Sequence, residues 1–170
     1  MKEIIYNYDL INEDVINKEV LRAKVLIINS NDEILLAFGN GNYQLPGGHV
    51  ENNESYNDCL VRELKEETGI EIAYEKRMPF LVIKYLCKDY PSLGINSKYI
   101  SNYYYLKTNL KPDYSKIDLT ENEKEGMFEL KFIHKDKVLK ELEDSLQFCT
   151  KRGPVIDTIE AIREYLKIMC

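Results

Sequence analysis

What this sequence lacks narrows its reading first. It has no run of about 18 apolar residues, the length at which a membrane-crossing helix becomes a candidate, and its first ten residues carry acidic side chains instead of the basic start and apolar stretch of an export signal. A protein of the cytoplasm is the expectation. Cysteine is sparse: Cys59, Cys87, Cys149 and Cys170 stand far apart, with no C-x-x-C pair and no histidine at zinc-ligand spacing. That pattern argues against a disulfide framework or a zinc site and for reduced, structural thiols. Basic residues form no dense block, and 23 Lys and Arg against 29 Asp and Glu give a net charge of −6, so a long polynucleotide is not an expected partner. Internal repeats, low-complexity tracts and any Pro/Gly/Ser linker are missing too, so residues 1–170 read as one domain.

What is present describes a packed domain. Hydrophobic residues make up 44% and charged residues 31% of the 170, an ordinary balance for a globular chain that buries about two-thirds of its unfolded surface. Apolar, β-branched runs predict strands over residues 20–28 and 33–38, joined by the turn cluster 29–32, and a short extended piece over 43–45. Residues 52–68 carry the strongest helical periodicity, with Ser55 and Asp58 spaced as a capping box and Gly69 placed for a left-handed C-terminal cap. Further strands are expected over 70–74, 80–87, 99–108 and 127–134, and helices over 136–146 and 154–168. Residues 1–18, apolar at intervals and outside the core pattern, suit a peripheral extension, an added edge strand or a partner contact. Strands flanked by helices give an α/β class.

The chemistry concentrates in residues 48–70, GHVENNESYNDCLVRELKEETGI. On a helix, Glu63 lies three residues from Glu66 and four from Glu67, so three carboxylates leave one side within about 5–6 Å of each other at Cβ. Tyr56, Leu60, Val61 and Leu64 form the flank that the core can bury. Like charges so close need compensation. Arg62 and Lys65 are the nearest cations in sequence and cannot cover three acids facing a cleft, whereas a hard divalent cation can. Mg²⁺ accepts one or two carboxylates together with waters and phosphate oxygens. Gly47 and Gly48 ahead of the helix allow close backbone approach to a ligand, or a carbonyl turned onto a metal. An acidic protein reaches an anionic diphosphate most readily through such a cation. The implied reaction is attack of water on a phosphoanhydride.

The same segment resembles the Nudix box, G-x5-E-x7-R-E-U-x-E-E-x-G-U with U aliphatic, and it matches at Gly48, Glu54, Arg62, Glu63, Leu64, Glu66, Glu67, Gly69 and Ile70. Seven identities at background frequencies of roughly 1 in 15 make a chance match on the order of 10⁻⁸ per starting position. The preceding residues 45–48, Leu-Pro-Gly-Gly, are similar to the family's usual approach to the box. The resemblance implies a mixed β-sheet sandwiched between helices. It also implies catalytic and metal-binding roles for Glu63, Glu66 and Glu67, a metal ligand in the Gly47 carbonyl, and bracing ion pairs from Glu54 and Arg62. A further acid ligand from outside the box is expected, with Glu123 the choice from the cluster Glu121, Glu123 and Glu125. The implied cofactor is Mg²⁺, with Mn²⁺ as a substitute. The implied substrate is a nucleoside diphosphate linked to another group: a nucleoside triphosphate, a nucleotide sugar or an ADP-ribose type molecule. The protein would act as a monomer or homodimer.

Two other functions fit the same fold. A non-catalytic nucleotide sensor would lose box acids, and none is lost here. An isoprenoid diphosphate isomerase would need a proton-shuttling Cys, and the loop before the box has none. His49 and His134 read as an ordinary loop residue and a structural residue. Tyr103, Tyr104 and Tyr105 read chiefly as sheet packing, because alternate residues of a strand face opposite sides.

Overall fold

The computed structural model describes residues 1–169, the side chain of residue 122 excepted, and Cys170 lies outside the described residues. The strands are β1 (Lys2–Tyr6), β2 (Lys18–Ile28), β3 (Glu33–Gly39), β4 (Asn42–Gln44), β5 (Leu81–Cys87), β6 (Ser97–Lys107) and β7 (Glu129–His134). The helices are α1 (Tyr56–Thr68), the short α2 (Glu121–Glu125), α3 (Lys135–Ser145) and α4 (Arg152–Met169), and a single 3₁₀ turn covers Glu13–Val15. The strands form one mixed sheet in the order β1-β5-β6-β2-β3-β4, with β7 also paired to β3. The N-terminal segment supplies β1, which lies parallel to β5 at one edge.

Alternation along the central strands builds two cores. Leu26 and Ile28 of β2, with Ile34 and Leu36 of β3, face α3 and α4 and pack with Val138, Leu142, Ile159 and Ile162. The intervening Ala23, Val25, Ile27, Leu35 and Ala37 face α1 and pack with Cys59, Leu60 and Leu64. A period of two thus gives β2 and β3 two apolar faces, which is why they read as continuous hydrophobic runs. The sheet is sandwiched between α1 on one side and α3 with α4 on the other, the α/β arrangement expected.

The feature that builds the site is a split between β2 and β3. They pair only at Ile27↔Leu35 and Ile28↔Ile34 before they diverge. β4 and the chain that follows it fill the gap: Ala23 and Val25 donate their N–H groups to the carbonyls of Gly48 and Pro46, and Val50 donates to Leu21. On its other side β2 runs against β6 for its whole length, so the loop before α1 rests on a fully braced strand.

Two local expectations need correction. Helix α1 starts at Tyr56, not residue 52, because Ser55 caps it in a complete capping box with Asp58, and Asn53 sits at φ 65°. Residues 70–74 form no strand: Ile70 is buried and Ile72 packs on the α1-side core, but no ladder partner meets them. The nearby backbone bonds run to a loop instead, from Asp113 N–H to the Thr68 carbonyl and from Asp118 N–H to the Glu66 carbonyl.

Gly69 ends α1 at φ 68°, and a Cβ there would run into the carbonyl of Asp113. Gly69→Ala is therefore expected to cost at least the 1–2 kcal/mol, roughly, of a left-handed L-residue. A lowered urea midpoint with unchanged m-value would show this, whereas an unmoved midpoint would contradict the cap.

Candidate functional site

Gly47 and Gly48 occupy the wedge between the diverging strands. Gly47 holds φ 125°, and a side chain there would strike the Ala23 carbonyl and the Lys24 backbone; one at Gly48 would strike the Glu63 carboxylate. Close approach on both sides explains the glycine pair. Cys59 supports the loop from beneath, its thiol 3.4 Å from the His49 carbonyl. Burial pushes that thiol up to about 12.

Helix α1 turns Glu63 and Glu67 toward this loop, at 9% and 3% exposure. The Gly47 N–H donates to Glu67 Oε2 at 2.7 Å. Burial pushes the Glu67 carboxyl up to about 7, with the charges of Glu63 and Glu123 adding to the rise and Lys24 and the Gly47 N–H opposing it. Burial also raises Glu63, against the pull of Arg62.

Arg62 is the hub of the remaining charges. Its guanidinium takes both oxygens of Glu54, from Nε at 2.8 Å and Nη2 at 3.0 Å. Its Nη1 reaches Glu63 Oε1 and Glu66 Oε2, each at 2.9 Å, and its Nη2 also donates to the His49 carbonyl at 2.9 Å. A flat fork of five donors serves such divided work where an ammonium cannot. The hydrogen bond from Arg62 is the first reason that Glu54 sits below the usual carboxylate range. Glu66 remains the most open of the four acids, its side chain 40% exposed.

Lys24 is the cation that sequence reasoning missed. It rises from β2, donates to the Gly47 carbonyl and lies 3.4 Å from Gln44 Oε1. Burial lowers its pKa although Glu67 works to raise it. Both members of the Lys24–Glu67 pair therefore move in the direction burial imposes, so their attraction does not offset the lost hydration. The available signal was a Lys beside Arg22 inside the otherwise apolar run VLRAKVLII. Lys65, weighed earlier as compensation, instead pairs weakly with Glu71 at 3.9 Å.

Glu123 lies on α2, with Oε2 accepting from the Thr120 N–H at 2.7 Å and the Thr120 hydroxyl at 2.8 Å. It is near enough for its charge to act on Glu67 and Lys24, yet its carboxylate is committed to its own turn. Among the described residues no three acidic, imidazole or thiol groups form a ready metal cage. Arg62 and Lys24 hold the oxygens that a cation would take. The donor set itself, the Gly47 carbonyl with Glu63, Glu66 and Glu67, consists of hard oxygens beside a loop without side chains, and it fits Mg²⁺ rather than a metal that favours thiolate or imidazole.

A sequence model of the NUDIX domain matches residues 18–147, from the start of β2 to just past the end of α3. This chain belongs to the Nudix hydrolase family. The NAD-capped RNA hydrolase NudC of Pseudomonas aeruginosa is 42% identical over 55 residues, which is 30% of this chain and 20% of that protein. The chain thus matches only about a fifth of the length of that curated relative. Among solved structures, a NUDIX hydrolase from Nitrosomonas europaea has a TM-score of 0.60 at 17% identity, covering 88% of this chain and 90% of its own. A MutT NUDIX hydrolase from Burkholderia pseudomallei has 0.58 at 17%, covering 87% and 98%. At such identity these structures speak for the Nudix fold alone.

Removing Arg62 would strand Glu63, largely buried, beside Glu54 and Glu66. Arg62→Ala is expected to cost about 3 kcal/mol, as when one partner of a buried pair is lost, and Arg62→Lys less than half of that. Chemical denaturation tests it, and an Ala variant as stable as the parent would refute the bracing role.

Proposed function

We propose that this protein hydrolyses a phosphoanhydride bond in a nucleoside diphosphate linked to another group, using a divalent cation, Mg²⁺, held by Glu63, Glu66, Glu67 and the Gly47 carbonyl. The observation that carries the reading is Glu67: a buried carboxyl raised to about 7 and fixed by the Gly47 N–H, at the point where Glu63 and the glycine loop converge. When bound, the cation would neutralise diphosphate charge, orient the leaving group and acidify water. The chain's own residues do the rest. Arg62 fixes Glu63 and Glu66 by hydrogen bonds and ties α1 to the loop through the His49 carbonyl. Lys24, released from the Gly47 carbonyl, offers an ammonium to a phosphate oxygen. A carboxylate of this set that is not holding the cation accepts a proton from the attacking water. Glu123 adds negative charge at the rim and, on swinging away from Thr120, a further ligand.

On this reading the substrate is a nucleoside triphosphate, a nucleotide sugar or an ADP-ribose type molecule, and the enzyme works in the cytoplasm, where such metabolites and Mg²⁺ occur together. No helix among the described residues is long and apolar enough to cross a membrane. The name of the Pseudomonas relatives adds a capped RNA 5′ end as an alternative carrying the same type of linkage, against which the net charge of −6 weighs. The isomerase reading loses its acid: Cys59, the thiol nearest the site, is buried and pushed up to about 12.

The test is a product-release screen over nucleoside triphosphates, dinucleoside polyphosphates, nucleotide sugars and ADP-ribose, with Mg²⁺ and with EDTA. Cleavage of one class, lost in EDTA, is expected. Glu67→Gln should lower kcat by about a hundredfold or more while the melting temperature stays within a few degrees. Intact compounds that still raise the melting temperature of the parent would favour a nucleotide sensor.

A further inference from the structure

Past the glycine loop, where β2 ends, the protein opens into a groove of about 690 Å³ between the last turn of α4 and the start of α3. That volume is typical of small-molecule sites. Ile28, the final residue of β2, lines it opposite Lys107 of β6, and Leu166 and Met169 of α4 line it from above. Ile28 stands four residues, about 13 Å, beyond Lys24, with the buried Leu26 between them. The groove is therefore separate from the box and its metal donors.

Tyr165 gives the groove its chemistry. The residue is 2% exposed, its ring packed edge-on to Phe80 at 6.1 Å and tilted against Tyr105 at 5.5 Å. Its hydroxyl has no hydrogen-bond partner among the described residues, although no enclosed side-chain oxygen or nitrogen among them goes unpaired. The hydroxyl therefore reaches the groove that Tyr165 lines, and whatever pairs with it comes from that groove. Burial raises its pKa, with the charges of Tyr105 and of the groove residue Asp32 adding to the rise. At neutral pH the phenol keeps its proton and can donate it.

The charges around it narrow the ligand. Asp32 pairs with Lys135 at 2.8 Å, and Asp136, 75% exposed, answers the dipole of α3 from its first turn. The leading N–H groups of α3 are taken as well, that of Lys135 by the Asp32 carbonyl and that of Asp136 by His134 Nδ1. No cradle for a doubly charged phosphate is left at the helix start. Lys107 is the remaining cation: exposed, it enters no ion pair or hydrogen bond among the described residues and acts on Asp32 only through space. It follows Tyr105, the ring against Tyr165, by two residues on the same face of β6. One ammonium and one hydroxyl donor suit a singly charged acceptor, as a carboxylate is. The neighbouring Ile28, Leu166 and Met169 have no rings, and the Tyr165 ring is already packed, so the body that fits is a saturated chain. We propose that this groove is a second binding site, which takes a small aliphatic carboxylate with its head at the Tyr165 hydroxyl and Lys107 and its chain along Ile28, Leu166 and Met169.

The test titrates the nitrogen-15-labelled full chain with octanoate, octanol and octylammonium at neutral pH and follows the backbone amides by NMR. Octanoate is expected to move the signals of Ile28, Lys107 and Tyr165 while those of Gly47 and Gly48 stay in place. It should bind about tenfold or more tighter than octanol, with octylammonium weaker than either. Tyr165→Phe, which keeps the ring, should weaken octanoate about tenfold and leave octanol unchanged. Lys107→Ala should weaken octanoate about threefold and serves as the second variant if Tyr165→Phe does not fold. Octanoate that binds no better than octanol, signals that move at the glycine loop instead, or an affinity untouched by the folded variants overturns the proposal. None of these readouts uses turnover, so this site and the hydrolase reading stand or fall separately.

Discussion

Everything in this structure turns on the burial of Glu67. The carboxyl lies beneath the wedge that forces β2 and β3 apart, with the Gly47 N–H pinned to one oxygen and the Lys24 ammonium capping the carbonyl of the same glycine. Burial outweighs attraction for both charges, so the carboxyl is raised and the ammonium lowered. A group raised in the folded state stabilises the fold fully below its unfolded value, near 4.5, and that contribution disappears as pH rises through about 7. Near neutral pH the metal-free protein therefore holds this carboxyl only about half ionised, and it accommodates the charged form poorly. A divalent cation would relieve that situation, and the fold has to be sound elsewhere to tolerate it.

The soundness comes from the scaffold on either side. β2 is tied along its whole length to β6, so the loop resting on its other edge cannot drift. Its alternate residues feed two separate cores, one under α1 and one under α3 and α4. Arg62 then locks α1 to the loop by bonding Glu54, Glu63, Glu66 and the His49 carbonyl with one rigid group. Backbone and guanidinium thus fix where the acids stand in the metal-free protein, with Arg62 and Lys24 on the oxygens that a cation would take.

Much of this was legible in the sequence because it is local. The capping box at Ser55 and Asp58, the left-handed cap at Gly69 and the acids of α1 all follow from spacing along one helix. The two-faced strands follow from period-two alternation in β2 and β3. Failures came where the answer was non-local. Residues 70–74 have a strand's composition but no partner strand, and no feature of the segment could reveal that. The charge that opposes the burial of Glu67 is Lys24, 43 positions away, and its only sign in the sequence was a Lys beside Arg22 inside an otherwise apolar run. Lys107 and Tyr165 line one groove only because a strand and a helix pack together, so neither had a meaning before that packing.

The measurement that bears most directly on this account is the titration of the Glu67 side-chain carboxyl by carbon-13 NMR, in the metal-free protein and with saturating Mg²⁺, using Glu67→Gln for assignment. The account predicts a midpoint near 7 without metal and a fall of more than about one unit when a cation binds beside it. A midpoint in the ordinary carboxylate range without metal, or one that Mg²⁺ leaves unmoved, would contradict the claim that Glu67 is the buried anion at which this site takes its metal.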